Sequence, residues 1–76
     1  MAKTKKSTHE KFRADLGAEI KARRNEKGMS TRQLAEHINK TQPRIPEIES
    51  GRTKEIDTYL KCLEVLGGKL QIVWDN

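Results

Sequence analysis

Gln42, Arg44 and Glu47 sit close together in KTQPRIPEIESGR, residues 40–52, and supply an amide, a guanidinium and a carboxylate. These groups suit the base edges of a DNA major groove. Glutamine pairs bidentately with adenine, a carboxylate accepts from cytosine, and arginine reaches guanine or a phosphate. At roughly 100° per residue, Ile45 and Ile48 define the buried side of a short helix here. Pro43, Pro46, Glu47 and Ser50 then face away from it, with Gln42 and Arg44 flanking the exposed first turn.

Catalytic chemistry finds no comparable grouping. His9 lies near the start, His37 on the exposed side of a helix, and Cys62 is the single cysteine. There is no acidic cluster, no metal-ligand spacing, no glycine-rich phosphate loop after a strand and no nucleophile–base pairing. The reading is therefore no enzyme, no metal and no cofactor. Cys62 falls beside an apolar helix face and reads as a small buried hydrophobe. One cysteine allows no internal disulfide and fits a reducing, cytoplasmic setting. No apolar run is long enough to span a membrane, and no signal peptide is read.

The net charge is +5, and it is unevenly placed: residues 1–27 hold nine basic and four acidic side chains, residues 28–76 seven of each. A basic first third suits a polyanion such as nucleic acid. With 76 residues the chain is one domain. A domain this small buries only about 60% of the surface its unfolded chain exposes, so a staple such as oligomerisation is expected.

The elements that must hold these groups read as four helices. Residues 1–8, MAKTKKST, form a basic flexible arm, and residues 9–67 the folded domain. From about Thr8 to Lys27, Phe12, Leu16 and Ile20 recur four apart with Ala18 beside them, and Gly28 ends the helix. Ser30 and Gln33 have capping-box spacing ahead of Leu34, Ala35 and Ile38. Asn39 suits a left-handed turn. Thr41 then caps a third helix, closed by Gly51. The fourth, EIDTYLKCLEVL, carries Ile56, Tyr59, Leu60, Leu63 and Leu66 at helical spacing and breaks at Gly67-Gly68.

Residues 68–76 change period. Leu70, Ile72 and Trp74 alternate with Gln71, Val73 and Asp75, which is strand spacing. A lone apolar strand has no internal partner, and the simplest remedy is the same strand of a second copy across a two-fold axis. Packing on its own helices or on another protein is the alternative. On the homodimer reading, Leu70, Gln71, Ile72, Val73 and Trp74 form the dimerisation strand.

Two short helices joined by a tight turn make a helix-turn-helix, whose second helix enters the major groove. STRQLAEHINKTQPRIPEIESG closely resembles the Xre/lambda-repressor-like (Cro/C1-type) family. The shared pattern is a polar start, Leu34-Ala35, Ile38, Thr41-Gln42, Ile45, Ile48-Glu49 and Gly51, continuing through GRTKEIDTYLKCLEVLG over roughly residues 16–67. The tail resembles the HipB-type antitoxins of toxin–antitoxin systems. That likeness implies dimers joined through C-terminal strands, which bind their own operator and a kinase-like toxin.

The family's base-contacting positions fall on Gln42, Pro43 and Glu47, with Arg44 added by its chemistry. Thr31, Arg32, Thr41, Arg52, Thr53 and Lys54 are expected at phosphates. The family's fixed ion pair falls on Arg24 and Glu49, and would turn Arg24 toward the DNA backbone as well. If Thr41 is the cap, Pro43 lies harmlessly in the first turn. Pro46, where the family usually has a small polar residue, lies beyond it and should loosen the turn, since its amide would have bonded the Gln42 carbonyl. The two rings would make a stiff apolar surface for thymine methyls.

The expected fold is therefore all-α: a lambda-repressor-like bundle of four main helices, with one C-terminal β-strand pairing across a homodimer. The expected function is a sequence-specific repressor binding double-stranded DNA at an inverted repeat, the autoregulating antitoxin of its operon. The alternatives are a toxin-neutralising protein-interaction module without specific DNA binding, and a phage repressor or restriction-system controller with no toxin partner.

Overall fold

Among the described residues, four with positive φ punctuate the chain: Gly28, Asn39, Gly51 and Gly67. Each closes one helix of the computed structural model, which describes residues 8–75. The helices are α1 (Thr8–Glu26), α2 (Thr31–His37), α3 (Arg44–Glu49) and α4 (Ile56–Val65). The arm expected over residues 1–8 lies outside the described residues except for Thr8, which opens α1.

All four helices end in the same way. After α3, the Gly51 amide donates to the Ile48 carbonyl at 3.0 Å and the Arg52 amide to the Glu47 carbonyl at 2.9 Å. This is the paired closure of a left-handed C-terminal turn, and it satisfies carbonyls the helix leaves open. After α2, Asn39 takes the left-handed position at φ 61, and Asn39 and Lys40 donate to Glu36 and Ala35. That sharp reversal is what folds α3 back against α2. At the start of α2, the Ser30 hydroxyl accepts from the Gln33 amide and the Gln33 side chain accepts from the Ser30 amide, a closed capping box.

The helices share one core: Leu16 and Ile20 from α1, Leu34, Ala35 and Ile38 from α2 and its end, Ile45 and Ile48 from α3, and Tyr59, Cys62 and Leu66 from α4 and its end. Burying each isoleucine or leucine contributes about 1.5–3 kcal/mol. α1 packs on α3 through a backbone approach at Gly17. A Cβ added there would meet the Ile48 and Glu49 carbonyl oxygens at 2.5 Å. Gly51 repeats the device, with the Ala14 backbone 2.6 Å from its would-be Cβ.

Two expectations are corrected. Phe12 is 45% exposed and Ala18 is exposed, so the α1 stripe is buried only at Leu16 and Ile20. On α4, Ile56 and Leu60 are exposed, and Tyr59, Cys62 and Leu66 form the core face. Apolar spacing marks candidate faces but cannot say which face the other helices cover. The strand expected over residues 68–76 is not shown: among the described residues there is no strand, and residues 68–75 of the single chain carry no regular structure. A strand's backbone groups need a partner edge, and one chain of this fold offers none.

Candidate nucleic-acid interface

The start of α3 differs from the sequence expectation, and the prolines explain why. Pro43, not Thr41, is the N-cap residue, at φ −62 and ψ −16, with no side-chain cap. A Thr41 cap would require Gln42 to be helical immediately before Pro43, where ring contacts disfavour that conformation. Instead the Thr41 and Gln42 carbonyls accept from Arg44 and Ile45, each at 3.0 Å, in a tight lead-in turn. Pro46 becomes the third helical residue, whose amide has no intrahelical partner in any helix. The Gln42 carbonyl that it was expected to leave open is already occupied by Ile45. Ile45 carries the same pre-proline restriction inside the helix, offset by complete burial in the core.

The exposed surface of this unit gathers most of the expected base readers. Gln42, Pro43, Pro46 and Glu47 are exposed and Arg44 is half-buried. The Gln42 amide donates to the Thr31 hydroxyl at 3.0 Å. That bond joins the first turn of α2 to the lead-in of α3 and fixes the direction of the Gln42 side chain. Arg44 Nε lies 3.1 Å from Glu47 Oε1, an ion pair that is not closed by a hydrogen bond. The cation offsets the carboxylate on a face that would otherwise repel phosphate.

Behind this face, Arg24 is held by three internal hydrogen bonds. Its Nε donates to Glu49 Oε2 at 2.7 Å, Nη2 to Oε1 at 3.3 Å, and Nη1 to the Met29 carbonyl at 2.8 Å. The two side chains are only 10% and 7% exposed. Arg24 is thus placed to orient α3 rather than to reach outward. Thr53, another residue expected at phosphates, is also buried. Its carbonyl accepts from the Tyr59 hydroxyl, and its own hydroxyl has no partner. Arg32, Thr41, Arg52 and Lys54 are exposed and Thr31 is half-buried. Arg32 lies 3.7 Å from Glu36 across one turn of α2.

The sequence reading did not single out Gly17, whose missing side chain lets α3 seat on α1, or Arg13, whose Nε donates to the Gly51 carbonyl at 3.1 Å. A glycine inside a charged helix was a signal of close approach for the first; nothing local marked the second. Burial pushes the Cys62 thiol up to about 11, with the nearby Glu49 charge adding to it. Burial also raises Tyr59. Neither group is reactive near neutrality. Among the described residues no cluster of His, Cys, Asp and Glu could hold a metal ion, and no helix is long and apolar enough to cross a membrane.

A short helix, a tight left-handed turn and a second helix with an exposed polar start define a helix-turn-helix. Residues 20–73 match the Helix-turn-helix family over more than half of the chain, and the chain belongs to that family, of the Xre/Cro type. Among solved structures it is similar to the clp gene regulator ClgR from Corynebacterium glutamicum, at 31% sequence identity and a TM-score of 0.67. The alignment covers 75% of this chain and 62% of that one, so this chain spans less than two thirds of ClgR. No curated protein matches.

Proposed function

We propose that the chain is a sequence-specific DNA-binding transcription regulator, a repressor that binds an inverted-repeat operator as a homodimer. The observation that carries this reading is the α2–α3 unit. Ile45 and Ile48 anchor α3 in the core, Arg24 and Glu49 fix its far end, and the Gln42–Thr31 bond sets its near end. What remains exposed is Gln42, Pro43, Pro46 and Glu47, with Arg44 beside them. These groups pair with adenine and cytosine edges and cover thymine methyls. Thr31, Arg32, Thr41, Arg52 and Lys54 surround them as phosphate contacts.

The homodimer is supported by the tail. Ile72, Val73 and Trp74 are largely exposed, Val73 at 83% and Trp74 at 82%. Leu60, Leu63 and Leu70 line a groove of about 360 Å³ at its base. Pairing Leu70, Gln71, Ile72, Val73 and Trp74 with the same segment of a second copy would satisfy their backbone and cover this apolar surface. Two α3 helices related by that axis would meet half-sites about 34–36 Å apart, or a multiple of that.

The role of autoregulating antitoxin, with a kinase-like toxin as partner, rests on the resemblance of the tail to HipB-type proteins. A regulator with no toxin partner is the second reading, favoured by the likeness to ClgR, which is titled a gene regulator.

The test is fluorescence anisotropy with a duplex from immediately upstream of the gene and a scrambled duplex of equal length, at about 150 mM salt. Non-specific binding there lies at about 10⁻⁴–10⁻⁶ M. Much tighter binding to the upstream duplex is expected, and equal weak binding to both would refute autoregulation. Co-purification with the product of the adjacent gene separates antitoxin from regulator alone.

A further inference from the structure

The exposed face of α3 does not stop at the helix. Pro43, Glu47 and Ser50 follow one another at helical spacing, and Ser50 lines a second groove, of about 320 Å³, with Glu10, Arg13, Ala14, Gly51, Arg52 and Lys54. Three cations stand there against one carboxylate. Arg52 and Lys54 come from the loop after α3, but Arg13 comes from the first half of α1, outside the helix-turn-helix.

Arg13 is held in place. Its Nε donates to the Gly51 carbonyl at 3.1 Å in a half-buried setting. The α1–α3 crossing beneath it is tight, since a Cβ on Gly51 would strike the Ala14 backbone at 2.6 Å. The guanidinium is planar, and an arginine held through Nε keeps its two terminal nitrogens as a fork suited to a phosphate.

From the geometry we infer that Arg13 is a further phosphate-binding residue, which with Arg52 and Lys54 clamps the DNA backbone at the far end of the recognition face. From Pro43 to Ser50 the helix axis advances about 10 Å at 1.5 Å per residue. The major groove is about 12 Å wide. With the start of α3 in the groove, the Ser50 end therefore lies at the groove wall, where the backbone runs. This inference rests on the DNA-binding reading above. It assigns Arg13 to affinity and not to sequence reading, because a phosphate carries no base identity.

The experiment measures the salt dependence of binding to the upstream and scrambled duplexes for wild type, Arg13→Gln and Arg13→Lys. Glutamine keeps a donor for the Gly51 carbonyl but removes the charge; lysine keeps the charge. For Arg13→Gln the slope of log K against log salt should shrink by about 0.9, the loss of one phosphate contact. Both duplexes should weaken by the same factor, leaving the specificity ratio unchanged, and Arg13→Lys should keep the wild-type slope. An unchanged slope in Arg13→Gln would show that Arg13 only holds the loop, and an equal loss of slope in Arg13→Lys would show that its charge is not what matters. Either result overturns this inference alone. Absence of salt-sensitive binding by wild type overturns the DNA-binding reading, and this inference with it.

Discussion

Arg24 holds Glu49 and the Met29 carbonyl at once, so one guanidinium ties α1, the loop into α2 and the end of α3. Removing one partner of such a buried pair leaves the other charge unsatisfied and costs about 3–5 kcal/mol. A chain of this size has about 4–11 kcal/mol of stability in all. Arg24→Met should therefore bring the domain close to unfolding, seen as a large fall in the urea midpoint. A change below about 1 kcal/mol would mean that the pair does not hold α3.

Pro46 gives a prediction of the opposite kind. Read from the sequence, Pro46→Ser should stabilise the chain by restoring a helical hydrogen bond. Pro46 is instead the third residue of α3, and the Gln42 carbonyl already accepts from Ile45. Pro46→Ser should thus change stability by less than about 0.5 kcal/mol, the range of ordinary surface substitutions. If its ring covers a thymine methyl, the same variant should lose discrimination at one base pair. Thermal melts and operator binding, measured together, separate the two effects.

Gly17→Ala tests the α1–α3 crossing. In an exposed helix interior alanine would gain about 1 kcal/mol over glycine. Here the added methyl meets two backbone carbonyl oxygens at 2.5 Å, and backbone cannot swing aside as a side chain can. Overpacking of this kind costs about 1–3 kcal/mol. The melting temperature should fall; a rise would show that α3 seats more loosely on α1 than the crossing implies.

Cys62 predicts a pH dependence. Burial raises its thiol from 9.0 to about 11, so folding favours the protonated form. Its contribution is fully present below pH 9 and is lost as pH rises toward 11. A rise of that size corresponds to a loss of about 2–3 kcal/mol. Tyr59, also raised by burial and donating to the Thr53 carbonyl, acts in the same direction. Urea midpoints should be flat from pH 7 to 9 and fall above it, and Cys62→Ser should flatten part of that decline. At pH 8 the native thiol should resist a disulfide reagent and react once unfolded.

The features that were legible in the sequence are those fixed by local rules. The Ser30–Gln33 box, the Asn39 turn and the glycine stops each depend on a few neighbouring residues, and the three-residue spacing of Ile45 and Ile48 marks the buried side of α3. What could not be read depends on distant partners. Phe12, Ile56 and Leu60 lie at helical spacing like the core residues, but the fold leaves them 39–45% exposed. Arg24 and Thr53 read as backbone contacts until the fold buries them. The start of α3 differs from the sequence reading because two competing local rules, a threonine cap and a pre-proline restriction, act on adjacent residues. The tail kept its strand pattern, yet one chain provides no edge for it.

The central claim, that the exposed start of α3 reads DNA sequence, is tested most directly by selecting bound duplexes from a random library with the wild-type protein and with Gln42→Ala. Wild type should enrich an inverted repeat with half-sites about 10 base pairs apart or a multiple of that. Gln42→Ala should relax one position in each half, a loss of about 1–3 kcal/mol of discrimination there. Recovery of unenriched sequence by wild type, or an identical site for the two proteins, would contradict it.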